Sequence, residues 1–238
     1  MTIHYHGTPI TPLSVLETLA GASFCVSFAR PEQVERVHRI GQSVMLDNGA
    51  FTIWRQGGQL DVPGFWAWAL PWLDCPTTWA VIPDVIAGDW RETAKLIAAA
   101  PRIPAHKLSP VWHLHDPIDR LLALCDEFPR VCFGSSEQYA KVGSPIWIKR
   151  TQEAFDALDP HHSYAQIHML RGMQCCKPEW PFPFYSVDST DVAQNHHAAK
   201  HGHHRARHMA ERWDSMQCQV RWVFGPGPVQ PLLIEETA

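Results

Sequence analysis

Eight short apolar runs rich in β-forming residues recur along the chain, separated by stretches of helical length and periodicity, and this rhythm is what most restricts the fold. The runs lie at 23–28, 43–47, 79–82, 110–115, 131–134, 165–169, 184–188 and 220–224. Between them, 31–40, 62–73, 89–100, 117–128, 144–158 and 191–214 read as helices, several opened by Pro in the first turn. Only 171–180, short and Pro-flanked, predicts no helix. An open doubly wound sheet shares the rhythm, but it carries a Gly-rich phosphate loop after its first strand, where this chain has Phe28-Ala29-Arg30-Pro31. The expectation is an α/β chain forming one compact (β/α)8 barrel of TIM type over residues 1–238.

A formal charge of −4, with 18% charged residues, gives no general attraction for a polyanion, so any nucleic acid must meet a local patch. No apolar run approaches the ~20 residues of a membrane span, and the N-terminus lacks the basic-then-apolar order of a signal peptide. The expected setting is the cytoplasm, with no membrane partner. Seven cysteines without framework spacing read as reduced thiols, and Cys25 and Cys132 fall inside strands as small buried residues.

Function is signalled by acids at the ends of these runs. Asp47, Asp84 and Asp188 each stand where an apolar run breaks into polar or turn-forming residues, as in Leu46-Asp47-Asn48-Gly49 and Val187-Asp188-Ser189-Thr190. One such acid is ordinarily a cap or a turn residue. Three at the carboxyl ends of parallel strands converge on the mouth where barrels build active sites. The same strand ends bring Asn48, Phe51, His113, His115, Gly134, Ser135 and Leu170 to that mouth. An aromatic face, a carboxylate and free backbone groups suit a flat heterocycle such as guanine, stacked on its faces and accepted at its N–H edge. Two further acids could serve as nucleophile and general acid/base at a glycosidic bond.

In their order, Leu46-Asp47-Asn48-Gly49-Ala50-Phe51, Ile82-Pro83-Asp84, Phe133-Gly134-Ser135-Ser136, His168-Met169-Leu170-Arg171-Gly172 and Ser186-Val187-Asp188-Ser189-Thr190 resemble the motifs of the tRNA-guanine transglycosylase superfamily. The pattern is most similar to its shortened, phage-type branch, the DNA 7-deazaguanine transglycosylases. The resemblance implies Asp188 as nucleophile and Asp47 as general acid/base. It implies Phe51 and Leu170 on the two faces of the base, and Asp84, Asn48, Gly134, Ser135 and one of His113 or His115 at its edge. The implied partners are guanine-containing DNA and a free 7-deazaguanine base such as 7-cyano-7-deazaguanine, without a cofactor. The implied setting is a host's cytoplasm if the chain is phage-encoded, and a homodimer or partner subunit could add polymer contacts.

The tRNA enzymes' Cys-x-Cys-x-x-Cys plus His zinc site does not occur after Asp188, where Cys218 is the only cysteine. The chain is therefore expected to lack the zinc-binding subdomain and any metal site, which tilts the polymer toward DNA and away from tRNA. Along 191–214, His197, His201, His204 and His208 recur at helical intervals beside Lys200, Arg205 and Arg207. Such a stripe fits a solvated face, a phosphate-binding surface or a metal site. The phosphate reading places Asn195, His196, His197, Lys200 and Arg205 along a nucleic-acid backbone. His4 and His6 alternate as in an N-terminal strand, with surface positions expected for both. Two rival functions use the same residues: a small-molecule glycosidase or nucleoside deoxyribosyltransferase, and a barrel that binds nucleic acid without turnover.

Overall fold

The computed structural model describes residues 1–159, 165–197 and 205–223. Its strands are β1 (Ile3–Gly7), β2 (Ser23–Ser27), β3 (Ser43–Asp47), β4 (Thr78–Val81), β5 (Leu108–Ser109), β6 (Val111–His113), β7 (Arg130–Gly134), β8 (Gln166–Met169) and β9 (Ser186–Ser189). All neighbours pair in parallel, in the order β5-β4-β3-β2-β1-β9-β8-β7-β6. The two ends of this order, β5 and β6, are one stave interrupted at Pro110. Proline has no N–H for a ladder, yet its carbonyl still accepts from Cys132 N at 2.9 Å, while the Ser109 carbonyl accepts from Ile82 N at 2.9 Å. The stave thus turns from one neighbour to the other and brings the sheet round into an eight-stave barrel, the expected (β/α) architecture.

One stave differs from expectation. The eighth is the N-terminal β1, inserted between β2 and β9, and 220–223 forms no strand; Phe224 lies outside the described residues. Tyr5 faces the interior while His4 and His6, alternating with it, are 4% and 0% exposed and not at the surface. They lie against helix α9 (Arg205–Asp214), where His6 Nε2 is 3.0 Å from Asp214 Oδ1. Burial lowers the His4 pKa to about 4, so that ring is neutral at neutral pH.

Strand alternation sorts the apolar residues into two sets. Tyr5, Cys25, Met45, Trp79, Val81, Val111 and Cys132 pack inside the barrel. Phe24, Val26, Val44, Leu46, Ala80, Trp112, Phe133 and Val187 point outward under the helices. Beneath the mouth, Trp79 Nε1 donates to Tyr5 Oη at 2.9 Å, Tyr5 Oη lies 3.0 Å from Ser43 Oγ, and the Arg130 guanidinium covers Trp79 at 4.3 Å. Trp79, Tyr5 and Ser43 are thus paired with one another inside the stem, and the interior is a packed plug, not a pore.

The remaining helices are α1 (Leu13–Glu17), α2 (Val34–Ile40), α3 (Ala50–Arg55), α4 (Val62–Leu73), α5 (Trp90–Ala98), α6 (Ile118–Glu127), α7 (Pro145–Leu158) and α8 (Asp191–Asn195). Most stand where the sequence predicts them. Helix α7 shows the local cause: Ser144 caps it by accepting from Trp147 N, and Pro145 occupies the first turn. Its Trp147 is fully buried and donates through Nε1 to Ser135 Oγ at 2.9 Å, tying an outer helix to the mouth. The single helix expected over 191–214 is instead the short α8 and the separate α9, with 198–204 outside the described residues. No disulfide joins the cysteines, and no helix among the described residues is long and apolar enough to cross a membrane.

Because β1 pairs on both sides, removing residues 1–8 should leave β2 and β9 as open edges and abolish cooperative unfolding. A near-UV circular dichroism melt checks this; a cooperative transition in the shortened chain would contradict the assigned closure.

Candidate active site

At the carboxyl ends of the strands lies a cavity of about 720 Å³, within the range that holds a nucleoside-sized ligand. Asp47, Asn48, Phe51, Asp84, His113, Gly134, Ser135, Leu170 and Asp188 all line it. His115 does not: its ring stacks on His113 at 5.3 Å and 8°, with Nδ1 3.3 Å from Ser136 Oγ. His113 alone of that pair reaches the cavity.

Asp84 is pinned on both oxygens. Asn48 Nδ2 donates to Oδ1 at 2.8 Å, and His113 Nε2 contacts Oδ2 at 2.8 Å. Asn48 is itself fixed, donating to the Ile82 carbonyl and accepting from Ala50 N at the start of α3. Burial pulls the His113 pKa down, but the hydrogen bond to Asp84 and its charge prevail, and the net direction is up. A carboxylate has about four acceptor positions, so Asp84 keeps lone pairs for a ligand's N–H groups. Gly134 makes room for this arrangement, since a Cβ there would stand 2.6 Å from His113 Nδ1.

Asp47 has a different environment. Gly49 N donates to its Oδ2 at 3.0 Å from a residue with φ 75°, and a Cβ on Gly49 would meet Ala29 N at 2.9 Å. Burial raises the Asp47 pKa to about 6; the Ser27 hydroxyl opposes this, and the charges of Asp188 and Asp84 add to it. Such a group exchanges protons near neutral pH.

Asp188 is held through one oxygen only. Its Oδ1 accepts from Arg171 N at 2.7 Å and lies 3.2 Å from His168 Nε2. His168 is fully buried, Ser186 Oγ sits 2.8 Å from its Nδ1, and burial lowers its pKa. A neutral ring that accepts from Ser186 and donates to Asp188 fits both contacts. No hydrogen bond to Oδ2 is found among the described residues, and Asp188 lines the cavity, which leaves that oxygen available as a nucleophile.

Phe51 from α3 and Leu170 beyond β8 supply apolar surface. The Arg171 guanidinium lies 3.7 Å from the Phe51 ring centre and donates through Nη2 to the Ser135 carbonyl. Partial burial draws its pKa down, and the charges of Asp188, Asp47 and Asp84 oppose that. Arg55 reaches the same ring at 5.9 Å. The sequence places His168 and Arg171 at the mouth by their strand-end positions but gives them no role, and it does not single out Arg55 or Ser27. His168 carries a usable signal, since it stands two positions before Leu170 on an alternating strand and so shares its inward face.

Of the expected backbone-contact residues that are described, Asn195, His196, His197 and Arg205 are not among those lining the cavity. His196 is buried, with Nδ1 on the Val192 carbonyl and Nε2 on the Thr11 carbonyl, both at 2.8 Å, so its ring joins α8 to the N-terminal segment and is not presented to phosphate. Asn195 donates to Asp191 within α8, and exposed His197 lies against His196 with the two rings tilted by 42°. Arg205 opens α9, and Lys200 lies outside the described residues. Gln194 is the α8 residue that lines the cavity. No protein-family model matches the chain, and no significant match is found among curated proteins or solved structures.

The raised pKa of Asp47 has a stability consequence with a definite sign. Near pH 3 and below the carboxyl is largely protonated folded and unfolded alike; as pH rises from about 4 to 6 the unfolded chain ionises while the folded state resists, and the folded state loses up to about 3 kcal/mol, levelling off above pH 6. Asp47→Asn should match the wild type in stability near pH 3 and exceed it by about 2–3 kcal/mol at pH 8, as urea unfolding at both pH values would show.

Proposed function

We propose that this chain is a base-exchange transglycosylase that replaces guanine in a nucleic acid, DNA being the favoured polymer, with a 7-deazaguanine base such as 7-cyano-7-deazaguanine. The observation that carries this reading is the division of labour among three carboxylates in one purine-sized cavity. Asp188 has one oxygen anchored and one open, Asp47 is tuned to about pH 6, and Asp84 is pinned as an acceptor.

In the proposed reaction, Asp188 Oδ2 attacks C1′ of a guanosine nucleotide. The C1′–O bond forms as the C1′–N9 bond breaks, and guanine leaves with that electron pair and takes a proton from the acid form of Asp47. A 7-deazaguanine base then loses its N9 proton to the Asp47 carboxylate, and N9 attacks C1′. The C1′–O bond breaks, and Asp188 returns as a carboxylate. Phe51 and Leu170 would bracket the base while Asp84 accepts from its N–H edge. His168 and Arg171 N orient the nucleophile without meeting the substrate. The motif resemblance supports the same assignment, and the chain's lack of the tRNA enzymes' cysteine motif favours DNA.

The test is incubation with labelled 7-cyano-7-deazaguanine and, in parallel, guanine-containing DNA, tRNA or free deoxyguanosine. Label should enter DNA; label in the free nucleoside alone would establish the small-molecule rival, and label in none would refute base exchange. Asp188→Ala should abolish label transfer and the covalent DNA–protein adduct seen by denaturing electrophoresis. Asp47→Asn should slow exchange at least 100-fold. Because a general base must be ionised, wild-type kcat/KM for the incoming base should fall below about pH 6; a profile flat down to pH 5 would remove Asp47 from that role.

A further inference from the structure

Arg171 has a backbone ill suited to an arginine. Its φ is 57°, in the left-handed region that favours glycine or asparagine. The backbone there has a task of its own, since Arg171 N holds Asp188 Oδ1, but that task needs no side chain. The side chain instead spans the cavity: its planar guanidinium lies over Phe51 at 3.7 Å and donates to the Ser135 carbonyl. These are a stacking face and a backbone group of the slot assigned above to a planar base. Arg171 forms no ion pair with Asp47, Asp84 or Asp188, although all three carboxylates act on its charge. It also remains open to solvent across the cavity, so it can swing away without disturbing packed core.

We propose that Arg171 is a latch that stands in for the base. In the free protein its guanidinium occupies the Phe51 face and the Ser135 carbonyl, and a purine or 7-deazapurine binds by displacing it. This deepens the base-exchange reading and rests on it. A flat cation and a flat heterocycle compete for one aromatic face, and a site closed by its own side chain binds with an affinity reduced by the open fraction. The latch shields three neighbouring carboxylates while the slot is empty and admits only a ligand able to replace both of its contacts. Because Arg171 N also holds the nucleophile, slot and nucleophile are set by one residue.

Equilibrium binding of free guanine and of 7-cyano-7-deazaguanine, measured by titration calorimetry on the wild type, Arg171→Ala, Arg171→Gly and Arg171→Lys, tests the latch. Arg171→Gly suits the positive φ and secures a folded comparison. The latch predicts binding about 10-fold tighter in Arg171→Ala and Arg171→Gly, equivalent to about 1.4 kcal/mol. Arg171→Lys should gain less, since an ammonium still reaches the ring but does not stack as a plane. A purely structural role would not tighten binding. Wild-type binding with equal or weaker binding in folded Arg171→Gly overturns the latch and leaves base exchange standing. No binding of either base to any of the four folded proteins overturns both.

Discussion

Three carboxylates sharing one partly enclosed cavity repel one another, and the structure around the mouth is arranged to make that tolerable. Like charges in a medium less polar than water raise the cost of ionisation. Each acid meets the cost differently: Asp84 through Asn48 and His113, Asp188 through His168 and the Arg171 amide, and Asp47 by retaining a proton up to about pH 6. The Arg171 guanidinium adds positive charge among them. Placing carboxylates in unlike environments is how an active site assigns different tasks to one residue type.

Barrel closure makes this crowding possible. The acids come from β3, from the loop after β4 and from β9, and only the insertion of β1 between β2 and β9 brings these strand ends round a common mouth. Register aligns Ser27 with Asp47 and Tyr5 with Asp188. Below them the Trp79–Tyr5–Ser43 chain and Arg130 fill the stem, so the cavity opens at one end.

What could be read from the sequence was whatever is locally encoded. Asp47, Asp84 and Asp188 stand out because each ends an apolar run, and Gly134 and Phe51 follow from the same strand-end logic; the cavity gathers all five. The barrel class was legible from the strand–helix rhythm, but its first stave was not counted. Ile3–Gly7 carries two histidines, and their burial depends on α9, some 200 residues away. Apolar character at 220–223 reads as a strand, yet no edge remains for it once β1 has closed the sheet. His196 resembles a surface ligand by its place at the start of a His-rich helical segment, and its contact with the Thr11 carbonyl is visible only in three dimensions. Arg171 was legible as a residue at the mouth, since it ends the sixth apolar run, but not its role: that lies in a positive φ and in a ring contributed by α3, neither of which its neighbours in sequence specify.

The central claim is that Asp47, Asp84 and Asp188 interact within one cavity, and carbon-13 NMR titration of aspartate-labelled protein tests it most directly. One carboxyl should titrate near pH 6, disappear in Asp47→Asn, and move to lower pH in Asp188→Asn as a neighbouring negative charge is removed. If every aspartate titrates below about pH 4.5, or if the Asp47 signal ignores the change at Asp188, the three acids do not share a site and the account fails.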